Sequence, residues 1–142
     1  MSWITPKTDW NGYTDENGDY HGDRFNAEDY NRIKNNIQYL RDLAITMYID
    51  FDISDMGKDK SVSDYPYADE INLIENNLEI VTANTLRKNY GAKQIFTDNG
   101  AFIDFNELNR IESATLDLYN NLSSQYEGRR MLTFMLGARE VF

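Results

Sequence analysis

The stretch "DENGDYHGD", Asp15 to Asp23, is where this sequence comes closest to a ligand site. Asp15, Asn17 and Asp19 offer oxygen atoms at alternate positions, as a calcium loop does, and His21, the chain's single histidine, follows them. A loop of the EF-hand kind needs glycine at its sixth position and a bidentate glutamate at its twelfth. Tyr20 and Asn26 occupy those positions, and the glycine comes early, at Gly18. The better reading is a tight turn, because Asn-Gly suits the positive φ angles of a type I′ hairpin and Asp side chains brace such turns. His21 has no nucleophile motif to serve: neither G-x-S-x-G nor a phosphate-cradling glycine loop occurs in the chain. Acidic pairs such as Glu28-Asp29 and Asp69-Glu70 fall where helices are expected to begin, and there they match the helix dipole. With no cysteine, thiolate chemistry, disulfides and cysteine-ligated metals are excluded. The sequence therefore predicts no catalytic, cofactor-binding or metal-binding residue.

Charge narrows the partners. The 142 residues carry 14 Lys and Arg against 24 Asp and Glu, a net charge of -10. Such a surface repels phosphate backbones and anionic lipid, so neither nucleic acid nor membrane is an expected partner. A hydrophobic fraction of 41% supports one folded core rather than a disordered tail. "MSWITPKTDW" lacks the basic and apolar regions of a signal peptide, and no apolar run approaches the roughly 20 residues that span a bilayer.

Helical periodicity supplies the frame. Asn26 is a good N-cap, and Tyr30, Ile33, Ile37, Leu40, Ala44 and Met47 follow at alternating spacings of three and four, predicting a helix to about Tyr48. Ile71, Ile74, Leu78 and Val81 repeat the pattern, in a helix expected to start near Asp64 to Pro66 and end around Asn89 to Gly91. Leu108, Ile111, Thr115, Leu118 and Leu122 make a third seam, with Asp104 and Glu107 as a capping box. "TDENGDYH" and "KQIFTDNGAFI" (Lys93 to Ile103) read as hairpins, and Arg130 to Leu136 as a strand. The expected fold is mainly α: a three-helix frame with small β-hairpins and a short C-terminal strand. It forms one domain over 1–142, with an aromatic segment at 1–25, the helical body at 26–128 and a strand or tail at 129–142. The expected core is Tyr30, Ile33, Ile37, Leu40, Met47, Ile71, Ile74, Leu78, Val81, Leu108, Ile111, Leu118 and Leu122.

One polar residue recurs in all three helices. Asn31 follows Tyr30, Asn72 follows Ile71 and Asn109 follows Leu108, at intervals of 41 and 37 residues. "NRIKNNI" at Asn31 parallels "NLIENNL" at Asn72. The intervals fit a helical repeat. Lying beside the apolar seam, each amide is placed to hydrogen-bond the loop that leads into its own helix.

The opening, "WITPKTDW…GDRFNAEDYNRIKNNIQYLRDLA", resembles the N-terminal parts of tail, baseplate and fibre proteins of tailed phages and prophages of Gram-positive bacteria. The matching residues are Trp3 or Trp10, Gly22-Asp23, Phe25, and Asn26 to Ile33, about the first third of the chain. Lys34 stands where that pattern more often has Glu, and the Asn17-Gly18 hairpin looks inserted. The resemblance implies a non-enzymatic virion component, a connector or adaptor more than a full fibre, forming a homo-oligomer and docking onto other virion subunits. Its expected contact surfaces are Trp3, Trp10, Tyr13 and Tyr20 at one end and Met131, Phe134, Leu136 and Phe142 at the other. The rival reading is a carbohydrate- or peptide-binding module that presents the N-terminal aromatics to a cell-surface glycan. A third is a regulatory protein that takes a partner helix into an open seam.

Overall fold

A computed structural model describes residues 3–64, 66–92, 95–96 and 105–140, with side chains as far as Leu132. Helix α1 (Ala27–Ala44) begins where Asn26 caps it: the Asn26 side chain accepts the Asp29 N–H, and the Asp29 carboxylate accepts the Asn26 N–H. Helix α2 (Ala68–Ala83) follows Tyr67, whose backbone N–H is taken by Glu70. It stops short of the predicted end because Thr82, Asn84 and Thr85 turn their side chains onto the carbonyls of Leu78, Ile80 and Val81. Arg87, in the left-handed region at φ 56, then closes the turn by donating its N–H to Thr82. Helix α3 (Phe105–Glu140) is about twice as long as either of the others.

α1 stops at Ala44 and continues as a turn through Tyr48, so Met47 is half-buried at its edge rather than in the core. The predicted strand at Arg130 to Leu136 is helix: α3 runs straight through Gly128 and Gly137. "MLTFML" lacks the alternation that a half-buried strand requires, and extending an existing helix needs no new nucleus. A small antiparallel ribbon pairs β1 (Gly12–Thr14) with β2 (Tyr20–Gly22), so the first predicted hairpin is present. Gly12 and Gly22 face each other in it, and a Cβ on Gly22, at φ 123, would collide with the Gly12 backbone. Most of the second predicted hairpin, and the Asp104 cap, lie outside the described residues; Ile95 and Phe96 belong to no strand.

Aligned on Asn31, Asn72 and Asn109, the three helices share their inner face position by position. Tyr30, Ile71 and Leu108 correspond, then Ile33, Ile74 and Ile111, then Ile37, Leu78 and Thr115. Leu40, Val81 and Leu118 follow, and Ala44, Thr85 and Leu122 complete the series. All 15 of these residues are buried. Each helix packs on the other two. The fold is mainly α with a minor β-ribbon.

The connections show that the helices are parallel. After α1, the chain passes Arg41, whose guanidinium donates to the Phe51 carbonyl, and reaches Lys60 beside Asn31 near the start of α1. It has descended the length of α1 before α2 begins. The stretch from Tyr90 to Phe96 likewise ends beside Asn72, near the start of α2, before α3 rises. Three helices thus point the same way, and extended segments return between them.

The segments are fixed by asparagine amides, in a pattern that closes on itself. Asn31 accepts the Lys60 N–H at 2.8 Å and donates to its carbonyl at 2.9 Å. Asn72 grips Phe96 in the same way (2.8 and 2.7 Å), and Asn109 grips Trp10 (2.8 and 3.1 Å). The expected partner needs correcting: each asparagine holds the segment leading into the next helix, not its own, and the third helix holds the segment leading into the first. A second set lies five residues on. Asn36 grips Ile4 (3.0 and 2.7 Å) and Asn77 grips Ser54 (3.0 and 2.8 Å), and both asparagines are fully buried. In α3 the corresponding residue is Ala114.

Extended chain between helices has no ladder to satisfy its N–H and C=O groups, and a buried group left unsatisfied costs about 1–3 kcal/mol. Replacing Asn36 or Asn77 with Ala should therefore cost about 2–4 kcal/mol in urea unfolding, with the m-value unchanged. The core adds a pH signature. Burial, and then the charges of Glu70 and Asp69, push the Tyr30 phenol up to about 12. The neutral phenol is favoured in the folded state, so this stabilisation is full below about pH 10 and is lost as the pH rises towards 12. Tyr30→Phe should flatten the alkaline limb of a stability–pH curve between those values.

Candidate functional site: grooves, buried charges and the free end of the third helix

Two buried carboxylates lie between the helices. Glu112 of α3, 1% exposed, accepts from the Arg32 guanidinium (Nε 2.7 Å, Nη2 2.9 Å), from the Lys7 backbone N–H (3.1 Å) and from the Trp10 indole N–H. Arg32 also donates to Asp29 at 2.9 Å. Burial works against its charge, but the hydrogen bonds to Glu112 and Asp29 outweigh that and raise its pKa above the ordinary value. The second pair repeats the first one groove away. Arg110, which follows Asn109 as Arg32 follows Asn31, bonds Glu75 of α2 and Glu107 of its own helix. Leu73 stands at the third equivalent position, so among the described residues the groove between α1 and α2 has no such helix-to-helix Arg–Glu pair; there Lys34 of α1 reaches Asp59 (2.6 Å) and the Gly57 carbonyl (3.1 Å).

These arrangements hold charge rather than move it. Both oxygens of Glu112 accept strong donors under a cover of Trp10. The loop that resembled a cation site is organised around its own backbone: Asp15 accepts the N–H groups of Asn17 and Asp19, each at 2.9 Å, and contacts His21 at 2.7 Å. The His21 contact, with those amides, holds the Asp15 carboxyl below its usual range. Among the described residues no group of three or more acidic or histidine side chains is placed to hold a metal ion, and no helix is long and apolar enough to cross a membrane.

The aromatic residues expected at a contact surface divide. Trp10 is buried at 4% exposure, stacked against Phe105, so it belongs to the core of this chain. Trp3 stacks on Tyr119 of α3, with centroids 4.1 Å apart, and Tyr20 donates its hydroxyl to the Asp23 carbonyl. Tyr13 is exposed, above His21 in the ribbon. At the other end Met131 and Leu132 are exposed on α3, and Phe134 and Leu136 lie further along the same helix. Phe142 is outside the described residues.

The free end of α3 is the most conspicuous surface. Its first half matches α1 and α2 turn for turn. Beyond Leu122 none of its residues up to Leu132 is buried. The turn after α1 reaches it twice, through Tyr48 to Gln125 (2.7 Å) and through the Met47 carbonyl to Arg129 (2.8 Å). From Arg130 to Glu140 the helix continues for about 16 Å at 1.5 Å per residue.

Sequence reading missed Asn36, Asn77, Arg32, Arg110, Glu75 and Glu112. A signal for the first two was present, since "NN" recurs at the same register in α1 and α2. The glutamates carried none, because a helix that starts acidic does not announce which carboxylate turns inward.

Removing residues 1–24 would withdraw Trp10 and Lys7 from Glu112, and the backbone partners from Asn36 and Asn109. Leaving a buried charge and two amides without their partners should unfold the body or strip several kcal/mol from it. Trp10→Phe, which loses the indole N–H but keeps the ring, should cost about 1–3 kcal/mol. Thermal melts followed by circular dichroism read both.

Comparison with known protein families, with curated proteins and with solved structures finds no match to this chain.

Proposed function

We propose that this protein is a non-enzymatic structural component of a phage particle, a tail, baseplate or connector piece that works by docking onto copies of itself and neighbouring subunits. The observation that carries the assembly reading is the stretch of α3 beyond Leu122, where no residue up to Leu132 is buried. Five of the six residues from Met131 to Leu136 are apolar, Thr133 being the exception, and Met131 and Leu132 are exposed at 61% and 57%. Exposed apolar residues gathered on one stretch of helix mark a surface that a neighbour covers. The body below is suited to be the rigid base of such a contact, because every helix is tied to the next through a clamped segment. The virion assignment rests on the likeness of the first third of the chain to phage tail and baseplate proteins. The glycan-binding alternative is less favoured, because Trp3 and Trp10, its natural stacking platform, are engaged inside the chain.

Light scattering behind a sizing column, over a wide concentration range, tests this directly. The full chain should run as a discrete oligomer, and a chain ending at Gly128 should run as a monomer with helical content and cooperative unfolding retained. Met131→Glu with Leu132→Glu should reproduce the truncation. A full chain that stays monomeric at every concentration, or an oligomer that the truncation leaves intact, would overturn the proposal.

A further inference from the structure

Two surfaces of the chain carry opposite charge, and both expose apolar side chains. The first is a recess of about 480 Å³ over the first half of α1. Its floor is the outer side of that helix, at Ala27, Glu28, Asn31 and Asn35. Its walls are the two extended segments that α1 clamps, one bonded also to α3 and the other also to α2. Ile4 stands on one wall, 52% exposed, and Val62 on the other, 97% exposed. The recess also has a sign. Arg32 in its lining is held by two carboxylates, Glu112 and Asp29, and Lys60 by Glu70 at 2.7 Å. Asp59 is matched by Lys34 at 2.6 Å. Glu28 is exposed and, among the described residues, makes no ion pair. Five carboxylates of this group thus stand against three cations.

The second surface is the stretch of α3 from Arg129 to Leu132, exposed at every position. Residues 123–142 carry three Arg against two Glu, whereas residues 1–122 carry 11 Lys and Arg against 22 Asp and Glu. Arg129 is tied to the body through the Met47 carbonyl. Arg130, its side chain 64% exposed, pairs with Glu127 of the preceding turn at 3.3 Å. An exposed pair of that kind is weak and gives way to a better-placed partner. Met131 beside it is 61% exposed.

We propose that these two surfaces meet between copies of the chain. Met131 of one copy enters the recess of the next, between Ile4 and Val62, and Arg130 sets its guanidinium against Glu28. The inference rests on the self-assembly reading above and adds the face that receives the α3 end. A second copy is the occupant because the chain holds both complementary halves: a basic stretch with an apolar side chain beside its arginines, and an acidic recess with aliphatic walls. The recess lies near the start of α1, whereas Arg130 lies beyond the end of α1 on a parallel helix. The contact is therefore heterologous, head to tail, and either closes as a ring or runs on as a filament.

The test is a charge exchange in the full chain, read as the apparent dissociation constant of self-association by sedimentation equilibrium. Glu28→Arg alone and Arg130→Glu alone should each weaken association about tenfold. The two together in one chain should restore it to within about threefold of the parent, which a merely structural role for either residue would not do. Val62→Asp, at a position almost wholly in solvent, should weaken association several-fold with the melting temperature unchanged. Association that neither charge reversal weakens, or that the combined variant fails to restore, would overturn this pairing and leave the role of the α3 end standing. A full chain that stays monomeric at every concentration would overturn both.

Discussion

The structure depends on the pairing of a primary amide with a single peptide unit. An asparagine side chain offers one acceptor and one donor at the spacing that an extended residue presents with its own N–H and C=O. A segment running back between two helices cannot join a ladder, so its polar backbone needs side-chain partners before it can be buried. Five asparagines meet that need here, at Ile4, Trp10, Ser54, Lys60 and Phe96. The parallel arrangement of the helices follows from it. Parallel neighbours demand long return connections, and long return connections are stable only if something satisfies them.

The buried ion pairs reinforce the same geometry without being its origin. Arg32 and Glu112 join α1 to α3, and Arg110 and Glu75 join α3 to α2, each next to an asparagine grip. Pairs of this kind add little net stability over well-packed apolar residues, but breaking one leaves a charge stranded in the core. They penalise any rotation of a helix that would separate the partners. Register between helices is thereby fixed by polar groups, while the apolar layers supply most of the driving force.

Much of this was legible in the residues. The seams gave all three helices and nearly the whole core, because a period of three and four has no competing explanation over five turns. The recurring asparagine was visible as well, and its backbone-binding role follows from its chemistry. Its partner was not visible. Local reasoning assigns a loop to the helix it precedes, whereas here Asn109 reaches Trp10 across 99 residues. Trp10 was named as a contact residue, although an aromatic in an irregular segment more often fills the gap between loop and core, as Trp10 does here above Glu112. The C-terminal helix was missed because a short apolar stretch with a glycine carries no period, and only its continuity with the preceding turns decides it.

The grip of Asn109 on Trp10 makes the set of three repeats a ring rather than a row. A linear repeat protein has two end units that need special caps, and it can lengthen by adding another copy. A ring has no end units and its number is fixed by closure, so a fourth helix–segment unit could not be appended without breaking the contact that joins the last to the first. The same closure means that no repeat can peel away alone, since each is fastened on both sides. Loss of one should bring down the other two.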